Sequence, residues 1–155
     1  MNYAEWLEDV PVSLRNDPLW SLESYRLALF VGDIGWPDVV ELSKHDLTKR
    51  LASQLYAALG SISVNITEGY SRSKGPDRAR FFEYALGSAR ESRDWYYKSR
   101  HILRAEVIQH RMTLLTQIIG MLVPTISNQR KHSIREEKAE YNTSAFSLNG
   151  EIPFP

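Results

Sequence analysis

Apolar residues recur every three or four positions over most of the chain, the spacing that gathers them on one face of an α-helix. Leu22, Tyr25, Leu29 and Gly32 form one such face and predict a first helix over 18–34. Asp17 followed by Pro18 marks its start, a capping carboxylate and then a proline whose missing N–H is not needed in the first turn. Gly35-Trp36-Pro37 predicts an interruption, with a short helical continuation over 38–44. Leu51, Leu55, Ala58, Leu59, Ile62 and Ile66 predict a second helix over 46–70, capped by Asp46 or Thr48. After a polar, basic turn from Ser71 to Gly75, Pro76 and Asp77 open a third helix over 76–103. Its inner face is Phe82, Leu86, Ala89, Tyr96 and Leu103, and Ala85, Gly87, Ser88 and Ser92 let a neighbouring helix approach closely.

The fourth helix spans 105–128. Leu114, Leu115, Ile118, Ile119, Leu122, Val123 and Ile126 are apolar around more than one face, which predicts burial on several sides, one of them against a second subunit. Pro124 should kink or end this helix. No strand pattern or internal repeat is visible. Residues 1–17 read as an irregular lead-in, and 129–155 as a mobile tail or an arm docked on a neighbour. The fold class is therefore all-α: an antiparallel up-down-up-down four-helix bundle over 18–128.

The length, 155 residues, suits one domain with its own core. Cysteine is absent, which removes disulfides, a thiolate nucleophile and Cys-ligated zinc, and fits a reducing compartment. The first residues are acidic (Glu5, Glu8, Asp9), unlike a signal peptide, and no apolar run approaches the roughly 18 residues of a membrane span. The expectation is a cytoplasmic protein with no membrane partner.

Net charge is zero but unevenly laid out. Residues 1–46 carry nine acids and three bases, residues 47–111 twelve bases and six acids, and residues 112–155 four of each. Such asymmetry marks either a polyanion partner or pairing between the acidic and basic segments, within or between subunits.

Catalytic chemistry finds little support. A di-iron bundle needs Glu-x-x-His on two helices, and that pattern is missing; Glu106 and His110 share a face but lack the other half of the set. His45, His101 and His132 are scattered, no serine sits in a Gly-x-Ser-x-Gly elbow, and the glycines form no phosphate cradle. No catalytic residue, metal ligand or cofactor is assigned.

Two features stand out. Asn65 borders the apolar stripe of the second helix, so its amide needs a partner; Glu68, Ser88 or Glu91 would make a polar clasp that fixes helix register. The second is a basic cluster: Arg72, Lys74, Arg78, Arg80, Arg90, Arg93, Lys98, Arg100 and Arg104, interleaved with Tyr70, Tyr84, Trp95, Tyr96 and Tyr97. Arginines contact phosphates and exposed aromatics stack on unpaired bases. The alternative is a solvated face laced with i,i+4 ion pairs such as Glu68–Arg72 and Arg90–Asp94.

Ser63-Val64-Asn65-Ile66-Thr67-Glu68-Gly69, followed by Arg80-Phe81-Phe82-Glu83-Tyr84-Ala85-Leu86-Gly87-Ser88-Ala89-Arg90-Glu91, resembles the four-helix-bundle family of proteins encoded in intervening sequences of large-subunit ribosomal RNA genes. That family is related to the accessory variability determinant of diversity-generating retroelements. The shared pattern falls on Ser63, Asn65, Ile66, Glu68, Gly69, Arg80, Phe81, Ala85, Gly87, Ser88 and Glu91, and the resemblance covers about 20–128. It implies an antiparallel bundle, often a ring-shaped homopentamer, whose retroelement members bind nucleic acid and a reverse transcriptase through a basic surface. It also implies that the matched residues are helix-packing positions. Unlike those basic members, this chain is neutral. The reading is a non-enzymatic homo-oligomer that binds RNA or single-stranded DNA as an accessory or scaffold. The alternative is a protein–protein adaptor.

Overall fold

The computed structural model describes residues 2–73, 75–130 and 147–155. Among these the chain is all-helical. Six α-helices follow in order: α1 (Tyr3–Asp9), α2 (Val12–Arg15), α3 (Glu23–Ser43), α4 (Lys49–Tyr70), α5 (Gly75–Lys98) and α6 (Ala105–Arg130). Short 3-10 turns occupy Pro18–Ser21 and Ser99–His101. The four long helices pack each against the next, and α3 also packs against α6. Their apolar faces meet in one core that includes Leu27, Phe30, Ile34, Leu55, Leu59 and Leu115. Burying each such side chain contributes roughly 1.5–3 kcal/mol.

The expected irregular lead-in is instead partly helical. A capping box starts α1: Glu5 N–H donates to Asn2 Oδ1 at 3.0 Å, and Asn2 N–H donates to Glu5 Oε2 at 2.9 Å. Tyr3 and Trp6 are buried against Phe30, with ring centroids 4.9 and 5.2 Å away. Trp6 Nε1 also donates to Asp33 Oδ2 at 2.8 Å. Asp17 does cap, accepting from Leu19 N–H at 2.8 Å, but the element it starts is the 3-10 turn.

The interruption predicted at Gly35-Trp36-Pro37 does not occur, and α3 runs through it. Tertiary contacts on either side of Pro37 hold the helix. Gly35 lies so close to α4 that a Cβ there would stand 2.6 Å from Leu59 Cδ1. Ile34 O accepts from Arg111 Nη2 of α6 at 3.2 Å, and Asp38 is bound by the same arginine. The fourth helix likewise continues past Pro124 to Arg130.

Gly69 lets α4 and α5 approach: a Cβ there would lie 3.0 Å from the Phe82 ring and 3.1 Å from Arg78 O. Between α5 and α6, Glu83 meets Arg130 at 2.6 Å and Arg93 meets Thr116 at 3.4 Å. Numbers rise along one helix as they fall along the other.

Of the expected tail, 131–146 lies outside the described residues. Residues 147–155 dock on the chain's own helices. Ile152 is 4% exposed. Pro153 O accepts from Arg111 Nη2 at 3.0 Å, Phe154 O accepts from Arg104 Nη2, and Leu148 O accepts from Tyr3 N–H at 3.3 Å.

Candidate nucleic-acid interface

The helix α5 carries most of the basic cluster, and its core face leaves the remaining positions to solvent. Arg72, Arg80, Arg90, Lys98, Arg100 and Arg104 are exposed, Arg78 and Arg93 are half-buried, and Lys74 lies outside the described residues. The cluster is not one compact patch. Arg72, Arg78 and Arg80 gather at the α4–α5 turn, while Arg100 and Arg104 lie at the opposite end of α5. With 24 residues, α5 separates them by about 36 Å at 1.5 Å per residue.

At the α4–α5 turn the guanidinium groups of Arg72 and Arg80 lie 4.7 and 5.5 Å from the centroid of the Phe81 ring. Phe81 in turn meets Tyr84 edge to face at 5.9 Å, and Tyr84 is exposed. Arg78 donates from Nη2 to Arg72 O at 2.7 Å, closing the turn. At the far end Arg100 lies 4.1 Å from the Tyr97 ring centroid and donates to Tyr97 O at 2.9 Å.

Ion pairing neutralises only part of this set. Arg72 pairs with Glu68 at 2.8 Å and Lys98 with Asp94 at 2.5 Å. The Asp94 carboxylate expected to serve Arg90 is thus engaged by Lys98. Arg78, Arg80, Arg93, Arg100 and Arg104 make no ion pair among the described residues; carbonyls, a hydroxyl and aromatic rings hold them. A neutral acceptor orients a guanidinium without cancelling its charge.

The residues that carry the family resemblance divide between core and surface. Ser63, Ile66, Gly69 and Ala85 are buried packing positions. Asn65, Phe81 and Ser88 are half-buried, and Glu68, Arg80, Gly87 and Glu91 are exposed, so the packing role extends to only part of the set. The clasp between helices is not formed. Asn65 Nδ2 donates to Ser61 O of its own helix at 2.8 Å, Glu68 takes Arg72, and Glu91 accepts from Trp95 Nε1 at 3.1 Å. Spacing of i,i+4 gives each group a partner on its own helix, which removes the need to reach across.

A buried polar node takes the role expected of the clasp. Asp38 and Arg111 are both 0% exposed. Arg111 Nε donates to Asp38 Oδ2 at 2.8 Å, Nη2 to Oδ1 at 3.2 Å, and Tyr96 Oη to Oδ2 at 2.8 Å. The node joins α3, α5, α6 and the C-terminal segment. Burial pushes the Asp38 carboxyl above its usual value, opposed by Arg111 and Tyr96, and burial followed by the Asp38 charge pushes the Tyr96 hydroxyl well up. Arg111 Nη1 also meets His110 Nδ1 at 2.9 Å, so that nitrogen accepts and the imidazole is neutral. Burial, then the neighbouring Arg111 charge, lowers the His110 pKa to about 4. The sequence did hold a signal: Asp38 and Arg111 each occupy a core position in an apolar period, between Ile34 and Leu42 and between Val107 and Leu114.

Among the described residues no group of three or more His, Asp or Glu side chains could hold a metal ion. No helix among them is long and apolar enough to cross a membrane.

A chain that is all-helical among its described residues, with arginines and aromatic rings along its third long helix, is thus defined. It belongs to the family of 23S rRNA-intervening sequence proteins, whose model matches residues 38–124. That span includes both Asp38 and Arg111 and leaves out α1 and the docked C-terminal segment. No curated protein matches the chain.

Proposed function

We propose that this chain is a non-enzymatic, homo-oligomeric scaffold that binds RNA or single-stranded nucleic acid through α5 and the α4–α5 turn. Its four long helices run up-down-up-down and assemble as a ring, most simply the pentamer that the family resemblance implies, in the cytoplasm. Short links between consecutive packed helices and the opposed numbering of α5 and α6 support that bundle topology.

The observation that carries the binding role is the set of arginines held by neutral groups. Arg78, Arg80, Arg93, Arg100 and Arg104 keep their positive field, and Tyr84 offers an exposed ring against Phe81, over which Arg80 lies. The family's name ties its members to 23S rRNA genes, which favours RNA as the first ligand to try.

The test is a binding titration with structured RNA, single-stranded DNA and duplex DNA over a range of salt. About five phosphate contacts predict a loss of roughly 100-fold in single-strand affinity between 50 and 200 mM salt. Arg78→Ala with Arg80→Ala should weaken binding further. Binding indifferent to salt and to both substitutions, or no binding at low salt, rejects this role and leaves a protein–protein adaptor.

A further inference from the structure

Two helices present outer faces without charge. From Leu51 to Thr67, α4 contains no acid, base or histidine, and neither does α6 from Met112 to Gln129. On α4, Ser53, Ala57, Gly60, Val64 and Thr67 are all exposed, at alternating steps of four and three, the spacing of a helix–helix seam. Val64 is 60% exposed. Beside this seam Trp36 of α3 meets Tyr56 edge to face at 5.4 Å, and both rings are exposed. On α6, Thr113, Gln117, Gly120 and Pro124 repeat the same steps at partly or fully exposed positions. Gln117 Oε1 is buried without a hydrogen-bond partner among the described residues.

The two faces lie on opposite sides of the molecule. Both α4 and α6 pack against α3 and α5, which places α4 and α6 across the bundle from each other. The outer sides of α3 and α5 are charged, with Glu23, Asp33, Glu41, Arg80, Glu91 and Lys98 among them. A Cβ at Gly60, as at Gly32 and Gly87, would meet nothing within 4 Å among the described residues, so the seam is open at its midpoint.

We propose that the outer face of α4 docks against the outer face of α6 of a second copy, head to tail. This inference rests on the homo-oligomeric reading and names its interface. Covering α4 with α3 or α5 of a neighbour would strip water from charges that α4 cannot pair. The outer face of α6 lacks charge over a similar length, 112–129 against 51–67. An α4–α4 contact would leave α6 as exposed as before. Because the faces differ, each copy offers one of each, and the contact propagates head to tail, closing as a ring where the rotation between copies brings the last copy back to the first.

The test uses sedimentation and light scattering on the full chain. The wild type should exceed the 17.9 kDa monomer. Val64→Lys on α4 and Thr113→Lys on α6 should each fall to monomer mass with helical circular dichroism retained, whereas Gly87→Lys on α5 should not. An equimolar mixture of Val64→Lys and Thr113→Lys retains one intact pair of faces and should form a 1:1 dimer. Gly60→Glu and Gly120→Glu repeat the experiment should either lysine variant lose helicity. A monomeric wild type overturns the homo-oligomeric reading itself. An oligomeric wild type with unaffected variants, or a mixture that stays monomeric, overturns this interface alone. A monomeric Val64→Lys beside an oligomeric Thr113→Lys replaces it with a two-fold α4–α4 contact.

Discussion

Arg111 grips Asp38 with both Nε and Nη2, at 2.8 and 3.2 Å, inside a helical core that excludes water from both residues. Nη2 also reaches Ile34 O and Pro153 O, and Nη1 meets His110 Nδ1, so one side chain ties α6 to α3 and to the C-terminal segment. A buried pair of this kind is costly to break from one side, because the survivor stays charged and dry.

Arg111→Met should therefore destabilise the protein by about 3–5 kcal/mol, and Asp38→Leu by a similar amount. The double variant should be more stable than either single one, since no orphan charge remains. Urea unfolding of the three proteins decides the matter, and a double variant as unstable as the worse single variant contradicts the buried pair.

The neutral imidazole of His110 predicts a pH dependence. Its pKa falls from 6.5 unfolded to about 4 folded, so the unfolded chain binds more protons between those values. Its contribution to stability is full above pH 6.5 and is lost as pH falls towards 4. Asp38, raised by burial, pushes in the opposite sense on acidification. The informative quantity is thus the difference between wild type and His110→Asn: the wild type should lose more stability from pH 7 to 4.5. Parallel profiles would refute the assignment.

Two glycines of α3 should respond in opposite directions to alanine. Gly32 has open space around a Cβ, so Gly32→Ala should stabilise by about 0.5–1 kcal/mol. Gly35→Ala forces a Cβ to 2.6 Å from Leu59 Cδ1 and 3.2 Å from Tyr96 Oη in the core, which should cost roughly 1–3 kcal/mol. Thermal melts that move the same way for both would show that α3 and α4 are not this close.

Ile152 is buried although it lies beyond the long helices. Ile152→Ala should cost at least about 2 kcal/mol. An unchanged melting temperature would mean that the C-terminal segment does not hold its place in solution.

The long helices were readable because each repeats apolar residues over several turns: Phe82, Leu86, Ala89 and Tyr96 of α5 are buried as expected, and so is Leu103, although α5 ends at Lys98 and a 3-10 turn replaces the last turn predicted for it. The missing α1 had a local signal as well: Asn2-x-x-Glu5 ahead of Trp6 and Val10 is a capping box before apolar spacing. The supposed break at Pro37 failed for a different reason. Proline and glycine report local cost, and here contacts with Leu59, Tyr96 and Arg111 outweigh it. The site was legible as a list of cations but not as an arrangement. Which arginine pairs with a carboxylate and which rests on a ring depends on rotamers and neighbours, as Lys98 taking Asp94 shows.

The hydrogen bond from Tyr3 N–H to Leu148 O closes the polypeptide on itself far from any covalent link. Its two ends then share a fate. Loosening the final residues releases the first helix, so amide protons of α1 should exchange with solvent at the rate at which Ile152 leaves its socket, faster than those of α4 and all together.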